Sequence, residues 1–176
     1  MRTIFFMDIS PATINDIPAL VILVNSAYRG EGSKKGWTTE ADLLGGIRTS
    51  DTSLSAMINK PGASMLVCRD EAGTITGCVY LEKQENKIYL GMLTVSPDLQ
   101  AAGIGKFLLA AAETYAKQLE CSFITMTVIS VRHELIAWYE RHGYYKTGET
   151  KPFPALDPSF GVPKQQLEFL VMEKAI

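Results

Sequence analysis

The stretch from Leu90 to Leu109, LGMLTVSPDLQAAGIGKFLL, constrains this chain more than any other. Leu90 to Val95 reads as an apolar strand, Ser96-Pro97 stops it, and Gln100-Ala101-Ala102-Gly103-Ile104-Gly105 opens into an amphipathic helix. Pro97 has no N–H to give a sheet ladder, so the strand ends by about there. Two glycines at the mouth of a helix let the backbone turn sharply and approach a ligand closely. The first amides of that helix lack internal partners and carry the positive end of its dipole, which makes the mouth an anion site.

The spacing narrows the anion. A P-loop needs Gly five residues before the Gly-Lys pair and Ser or Thr after it; Gln100 and Phe107 stand there. The dinucleotide fingerprint needs a third Gly where Leu108 stands. The pattern that fits is Gln/Arg-x-x-Gly-x-Gly/Ala after a strand ending in Val-x-Pro. That resembles the pyrophosphate loop of the GCN5-related N-acetyltransferase (GNAT) family, which holds acetyl-coenzyme A. Taken alone, the hexapeptide is also compatible with a strand-to-helix turn that binds nothing.

Length and composition set the frame. A chain of 176 residues suits one domain with a real core, read here as a single domain over 1–176. A hydrophobic share of 47% against 20% charged residues is globular, and a net charge of −2 argues against nucleic-acid binding by phosphate neutralisation. No apolar run spans a membrane, and the start MRTIFFMDISPATINDIPAL is a poor signal peptide, so the expectation is a cytoplasmic protein. Cys68, Cys78 and Cys121 are far apart and form no CxxC, and they read as reduced thiols. His133 and His142 have no Cys nearby, so no metal site is expected.

In chain order, Thr3 to Ile9 reads as a strand, and Thr13 N-caps a helix to Tyr28 whose apolar face is Ile17, Leu20, Val21, Val24 and Tyr28. Thr38 or Thr39 opens a short helix ended by Gly45-Gly46, and a second runs from Asp51 to Asn59. Strands at Ala63–Arg69, Ile75–Lys83 and Lys87–Val95 form an antiparallel meander. The helix after Gly103 turns Ile104, Phe107, Leu108, Ala111, Tyr115 and Leu119 inward. Ser122–Ile129 is a buried strand, parallel to the preceding one because a helix separates them. A helix from His133 to His142 stops at Gly143; a strand Tyr144–Glu149, a Pro-rich loop and a strand Gln166–Glu173 complete the chain.

The segment Arg132–Tyr144, RHELIAWYERHGY, is similar to the later GNAT motif, a helix ending in Tyr-Glu-x-x-Gly-Phe/Tyr. With both motifs on the right elements, the resemblance covers essentially the whole chain. It implies the acyl-CoA N-acyltransferase fold: an α+β domain with a mixed, largely antiparallel sheet of about seven strands, a splayed parallel pair and flanking helices. In that fold the pantetheine arm of acetyl-CoA enters the splay and pairs with the first strand, since unpaired strand amides and carbonyls suit a peptide-like ligand. The resemblance puts cofactor contacts on the main chain of Leu93, Thr94 and Val95, and the diphosphate on Gln100, Ala101, Ala102, Gly103, Ile104, Gly105 and Lys106.

Acetyl transfer needs a neutral amine, a donor to the developing oxyanion and a proton for the leaving thiolate. The resemblance assigns the second to the backbone N–H near Leu93 and the third to Tyr139. Tyr139 also reads as core packing, because it shares a helical face with Leu135, Trp138 and His142. Where relatives carry a Glu base, six residues before the Val-x-Pro valine, this chain has Tyr89; Glu82, Glu40 and unassisted water are the alternatives. Arg132 stands where many relatives have a cofactor-contacting Asn; it reads as a phosphate partner or a surface residue. The resemblance builds the acceptor pocket from Tyr28, Arg29, Glu31, Trp37, Thr38, Glu40 and Arg48, with Phe153 and Phe160 from the late loop, and Tyr89 beside them. A cationic acceptor would favour Glu31 or Glu40, and an amino acid's carboxylate would favour Arg29 or Arg48. The implied function is acetyl transfer to a small-molecule amine. A protein N-terminal or lysine acetyltransferase and a non-catalytic acyl-CoA sensor are the alternatives. No residue specifies the homodimer that the family allows.

Overall fold

The computed structural model describes residues 6–100, 102–154 and 157–176. Seven strands form one sheet: β1 (Asp8–Pro11), β3 (Ala63–Arg69), β4 (Ile75–Gln84), β5 (Lys87–Val95), β6 (Phe123–Ile129), β9 (Glu168–Ala175) and β7 (Tyr145–Pro152), in that spatial order. Every neighbouring pair is antiparallel except β5 and β6. A separate two-residue ribbon joins β2 (Leu44–Gly45) to β8 (Val162–Pro163). The flanking helices are α1 (Ile17–Tyr28), α2 (Asp51–Asn59), α3 (Ile104–Gln118) and α4 (His133–Arg141).

The alternation of strand side chains builds two cores. On one face Leu66, Cys68, Val79, Leu81, Ile88 and Leu90 pack against Leu108, Ala112 and Ala116 of α3 and Ile136 of α4. On the other, Met65, Val67, Cys78 and Tyr80 meet Ile17, Leu20 and Val24 of α1 and Leu54 of α2. Gly77 lets α3 come close to the sheet: a Cβ there would lie 2.8 Å from the Thr94 carbonyl oxygen and 2.9 Å from Ile104 Cγ2. All three cysteines are free and buried, and burial pushes the Cys78 thiol up to about 12.

Strand β5 reverses its own parity. Its register against β4 shifts between Cys78 and Tyr80, so that Met92 and Leu93 together oppose Val79, and Met92 takes φ 53°. This is a β-bulge, an extra residue that bends the strand and re-aims the side chains beyond it. Before it Ile88 and Leu90 face α3 while Tyr89 faces α1; after it Met92 faces α1 while Leu93 and Val95 face α3. The parallel pairing of β5 with β6 covers only Lys87–Tyr89 against Phe123–Thr125, and beyond that the strands part.

Several expectations change in detail. Residues 1–5 lie outside the described residues, and the strand expected at Thr3–Ile9 appears as Asp8–Pro11. The helix expected after Thr38 or Thr39 is a single turn. Thr39 Oγ1 accepts the Ala41 N–H at 3.1 Å, as a cap should, but Leu44 and Gly45 are drawn into the ribbon with β8. On α3 the buried stripe is Ile104, Leu108, Leu109, Ala112 and Ala116, leaving Phe107 37% exposed, because Ile104 and Leu108 are the side chains that meet the sheet at Gly77. Gly77→Ala should cost about 1–3 kcal/mol by overpacking, read as a lower urea midpoint at unchanged m-value; an unshifted midpoint would mean α3 can retreat freely.

Candidate functional site

Two cavities meet where β5 and β6 part, and both are lined by Tyr28, Leu93, Arg132, Leu135 and Tyr139. The first, about 270 Å³, runs from that junction to the mouth of α3. Its wall includes Thr94 and Val95 of β5 and Gln100, Gly103, Ile104, Gly105 and Lys106 of the turn. Gly103 is the N-cap of α3 with φ 84°, the left-handed region that favours glycine, and the space beside its Cα is open. The helical ladder starts with Phe107 N–H to the Gly103 carbonyl at 3.0 Å, so the amides before it have no helical acceptor. Gly105 has a second use: a Cβ there would sit 3.3 Å from Trp138, which packs over the first turn.

The second cavity, about 150 Å³, lies on the α1 side of the junction. Arg29, Glu40, Arg48 and Tyr89 line it together with Met92, Met126, Phe153, Phe160 and Phe169. Leu44 of the β2–β8 ribbon and Phe160 form its roof, pinned by Arg29 Nη2 donating to the Phe160 carbonyl at 3.2 Å and Lys164 Nζ to the Ala41 carbonyl at 2.7 Å. Tyr28 stands between the cavities and donates its hydroxyl to the Leu93 carbonyl at 2.6 Å. Burial pushes the Tyr28 phenol up to about 12, which keeps that donor protonated.

A buried charge cluster ties the walls together. Glu40 is 6% exposed and lies 2.9 Å from Arg29 Nη2 and 3.1 Å from Arg132 Nη1. Arg132 Nη2 also donates to Thr38 Oγ1 at 2.8 Å, while its buried Nε has no partner among the described residues. Burial pulls Arg29 below its ordinary pKa, opposed by the Glu40 carboxylate. Arg132 is 6% exposed, so the surface reading of that residue is corrected: its charge is committed to Glu40 inside the protein.

The structure divides the sequence-derived residues between the two cavities. Leu93, Thr94, Val95, Gln100, Gly103, Ile104, Gly105, Lys106, Arg132 and Tyr139 all border the first cavity. Ala102 packs against the core beneath it, and Ala101 lies outside the described residues. Tyr28, Arg29, Glu40, Arg48, Tyr89, Phe153 and Phe160 border the second. Trp37, expected on the acceptor side, borders the first cavity instead, held by its N–H to Gln100 Oε1 at 2.7 Å and tilted against Trp138 at 6.2 Å. Thr38 goes with it, and Glu31 borders neither. Glu82 also borders neither; the ammonium of Lys60 at 2.7 Å and the Tyr80 hydroxyl hold its carboxyl below the usual range. Sequence reasoning missed Trp138 and Leu135 as cavity residues, although they share the Tyr139 helical face, and missed Met126–Ile129, whose only signal is adjacency to β5 across the splay.

Tyr139 is 5% exposed, and its hydroxyl makes no hydrogen bond to the protein among the described residues. Burial raises its pKa well above the ordinary phenol value. Among the described residues no group of His, Cys, Asp and Glu could hold a metal ion, and no helix is long and apolar enough to cross a membrane.

Comparison with known proteins gives a consistent picture. The model of the acetyltransferase (GNAT) family matches residues 35–144. A mycothiol acetyltransferase from Propionibacterium freudenreichii subsp. shermanii is 31% identical over 88 residues, which is 47% of this chain and 28% of that protein's length. The chain thus matches little more than a quarter of that relative. The ribosomal-protein-S18-alanine N-acetyltransferase of Escherichia coli superposes with a TM-score of 0.70 at 15% identity, covering 97% of this chain and 94% of that one. The PaiA N-acetyltransferase of Thermoplasma acidophilum, solved in complex with coenzyme A, gives 0.69 at 19% identity, covering 97% and 99%. Both structures share the fold.

Glu40→Gln would leave two buried guanidinium groups facing a neutral amide. The expected loss is about 3–5 kcal/mol, the cost of removing one partner of a buried pair. Urea unfolding measures it, and a variant as stable as the parent would show that the cluster is solvated.

Proposed function

The chain belongs to the GNAT acetyltransferase family, and on that premise we propose that it transfers an acetyl group from acetyl-CoA to the primary amine of a small molecule. The observation that carries this reading is the meeting of two cavities at Leu93 and Tyr139, one ending at the glycine turn that opens α3 and the other lined by Leu44, Phe153 and Phe160. A small acceptor is favoured over a protein chain because the second cavity, about 150 Å³, is lined by Leu44, Phe153 and Phe160.

The residues fit acetyl-CoA. The free amides and left-handed glycine at the mouth of α3 suit a diphosphate, and Lys106 adds a cation. The edge of β5 beyond Tyr89 has no strand partner on the β6 side, which suits an extended arm bearing amides. Bound there, acetyl-CoA supplies an acetyl group activated as a thioester. Leu93, re-aimed by the bulge, offers its N–H to the carbonyl oxygen as charge develops. Tyr139 donates its proton to the departing sulfur as the C–S bond breaks, and the proton shed by the newly acylated nitrogen restores the phenol. Its raised pKa keeps the phenol protonated, so the donor is present at every physiological pH.

No unpaired carboxylate among the described residues lines the second cavity, since each Glu40 oxygen already faces an arginine. The amine therefore enters neutral or loses its proton to water. This sets the pH profile: kcat/KM rises as the amine deprotonates and shows no descending limb below about pH 10, because a raised phenol pKa moves loss of the donor proton upward. Tyr139→Phe should lower kcat by about a hundredfold while leaving coenzyme A affinity intact; stopped thiol-release assays and calorimetry separate the two. Turnover equal to the parent's would exclude Tyr139 as the proton donor. Gly103→Val forces a β-branched residue into the left-handed region at the diphosphate turn, and calorimetry should show weakened coenzyme A binding. Parental affinity in that variant would move the diphosphate elsewhere.

A further inference from the structure

The second cavity is lined by three guanidinium groups and one carboxylate, and they are not equivalent. Arg29 is committed: Nε and Nη2 to Glu40, Nη1 to the Ile47 carbonyl at 3.2 Å and Nη2 also to the Phe160 carbonyl. Arg132 is committed to Glu40 and Thr38. Arg48 is different. Its backbone is fixed by its N–H to Asn25 Oδ1 at 2.8 Å, and its guanidinium lies 5.2 Å over the Tyr28 ring. Among the described residues that guanidinium has neither a carboxylate partner nor a hydrogen bond.

We infer that Arg48 is the acceptor-recognition residue and that the acceptor is an amine carrying a carboxylate, an amino acid or a short amino-carboxylate. The inference rests on the transfer reading above and names its substrate class. Charge decides first. With Glu40 neutralised from both sides, the cavity keeps an excess of positive charge, which attracts an anion and repels a second ammonium. A planar guanidinium in a half-buried wall matches a carboxylate with paired N–H donors. Geometry decides next. One tyrosine ring joins the two ends of the site, since the Tyr28 hydroxyl is bonded to Leu93 and its face carries Arg48. An acceptor bridging Arg48 and the Leu93 junction therefore has its amine and carboxylate a few bonds apart, which excludes long diamines and internal lysines of proteins. Phe153 and Phe169, tilted at 39° with ring centroids 5.2 Å apart, supply an apolar wall for the rest of the molecule.

The test uses the full chain with acetyl-CoA and a defined panel: the proteinogenic amino acids and short ω-amino acids, their carboxamides, spermidine and an unblocked tripeptide. Initial rates of thiol release give kcat/KM, and thermal shift in the presence of coenzyme A reports acceptor binding separately. The expected result is a preference for free carboxylates over matching carboxamides of about tenfold to a hundredfold, the worth of a charge-assisted hydrogen bond. Arg48→Ala should erase that preference through KM, and Arg48→Lys should restore part of it; coenzyme A calorimetry on both variants verifies the fold. Turnover of spermidine, carboxamides or the tripeptide in preference to carboxylates would overturn the inference and leave the transfer reading standing. Carboxylates that stabilise the parent but not Arg48→Ala, with no amine turned over, would uphold the anion site and overturn transfer. Neither binding nor turnover across the panel would overturn both.

Discussion

The short length over which β5 and β6 pair is the constraint on which the rest of the molecule depends. Three residues on each strand hold the parallel register, and after Tyr89 and Thr125 the strands separate. A sheet that opens in its middle must satisfy its inner edges some other way, since buried backbone amides and carbonyls without partners are costly. Tyr28 supplies one such partner for Leu93, and the Gln100 side chain approaches the Val95 carbonyl at 3.5 Å. The remainder of the opening is cavity.

The bulge at Met92 and Leu93 makes that opening usable. A regular strand would carry Leu90, Met92 and Thr94 onto one face, but the extra residue exchanges the faces in mid-strand. Met92 then fills the α1 core, and Leu93 and Val95 turn to the α3 side where the glycine turn begins. The two cavities thus meet at one backbone irregularity on one strand.

Most of this architecture is legible in the sequence because its signals are local. Strands such as Ala63–Arg69 and Lys87–Val95 are marked by their own alternation and turns, and Gly103 announces the left-handed cap that the structure contains. The features that escape are non-local. The β2–β8 ribbon is two residues long on each side, too short for any periodicity, and it converts the helix expected after Thr39 into a turn. Trp37 changes cavities because Gln100, far along the chain, captures its amide. Arg132 reads as a phosphate partner or a surface residue until Glu40 is brought against it. Each of these three is a contact between distant segments that no window of the chain reports, whereas Leu135 and Trp138 carry a local signal in the helical face they share with Tyr139.

In the language of polymer networks, Glu40 is a branch point. Its two oxygens close a loop of 11 residues to Arg29 and one of 92 residues to Arg132, in a protein whose three thiols form no covalent link. Closing the longer loop costs only modestly more chain entropy than the shorter, because the cost rises with the logarithm of length. The consequence is mechanical. The segment before the first cavity, the helix behind it and the roof of the second cavity share a single charged node, so an excursion that loosens one wall must release the others with it.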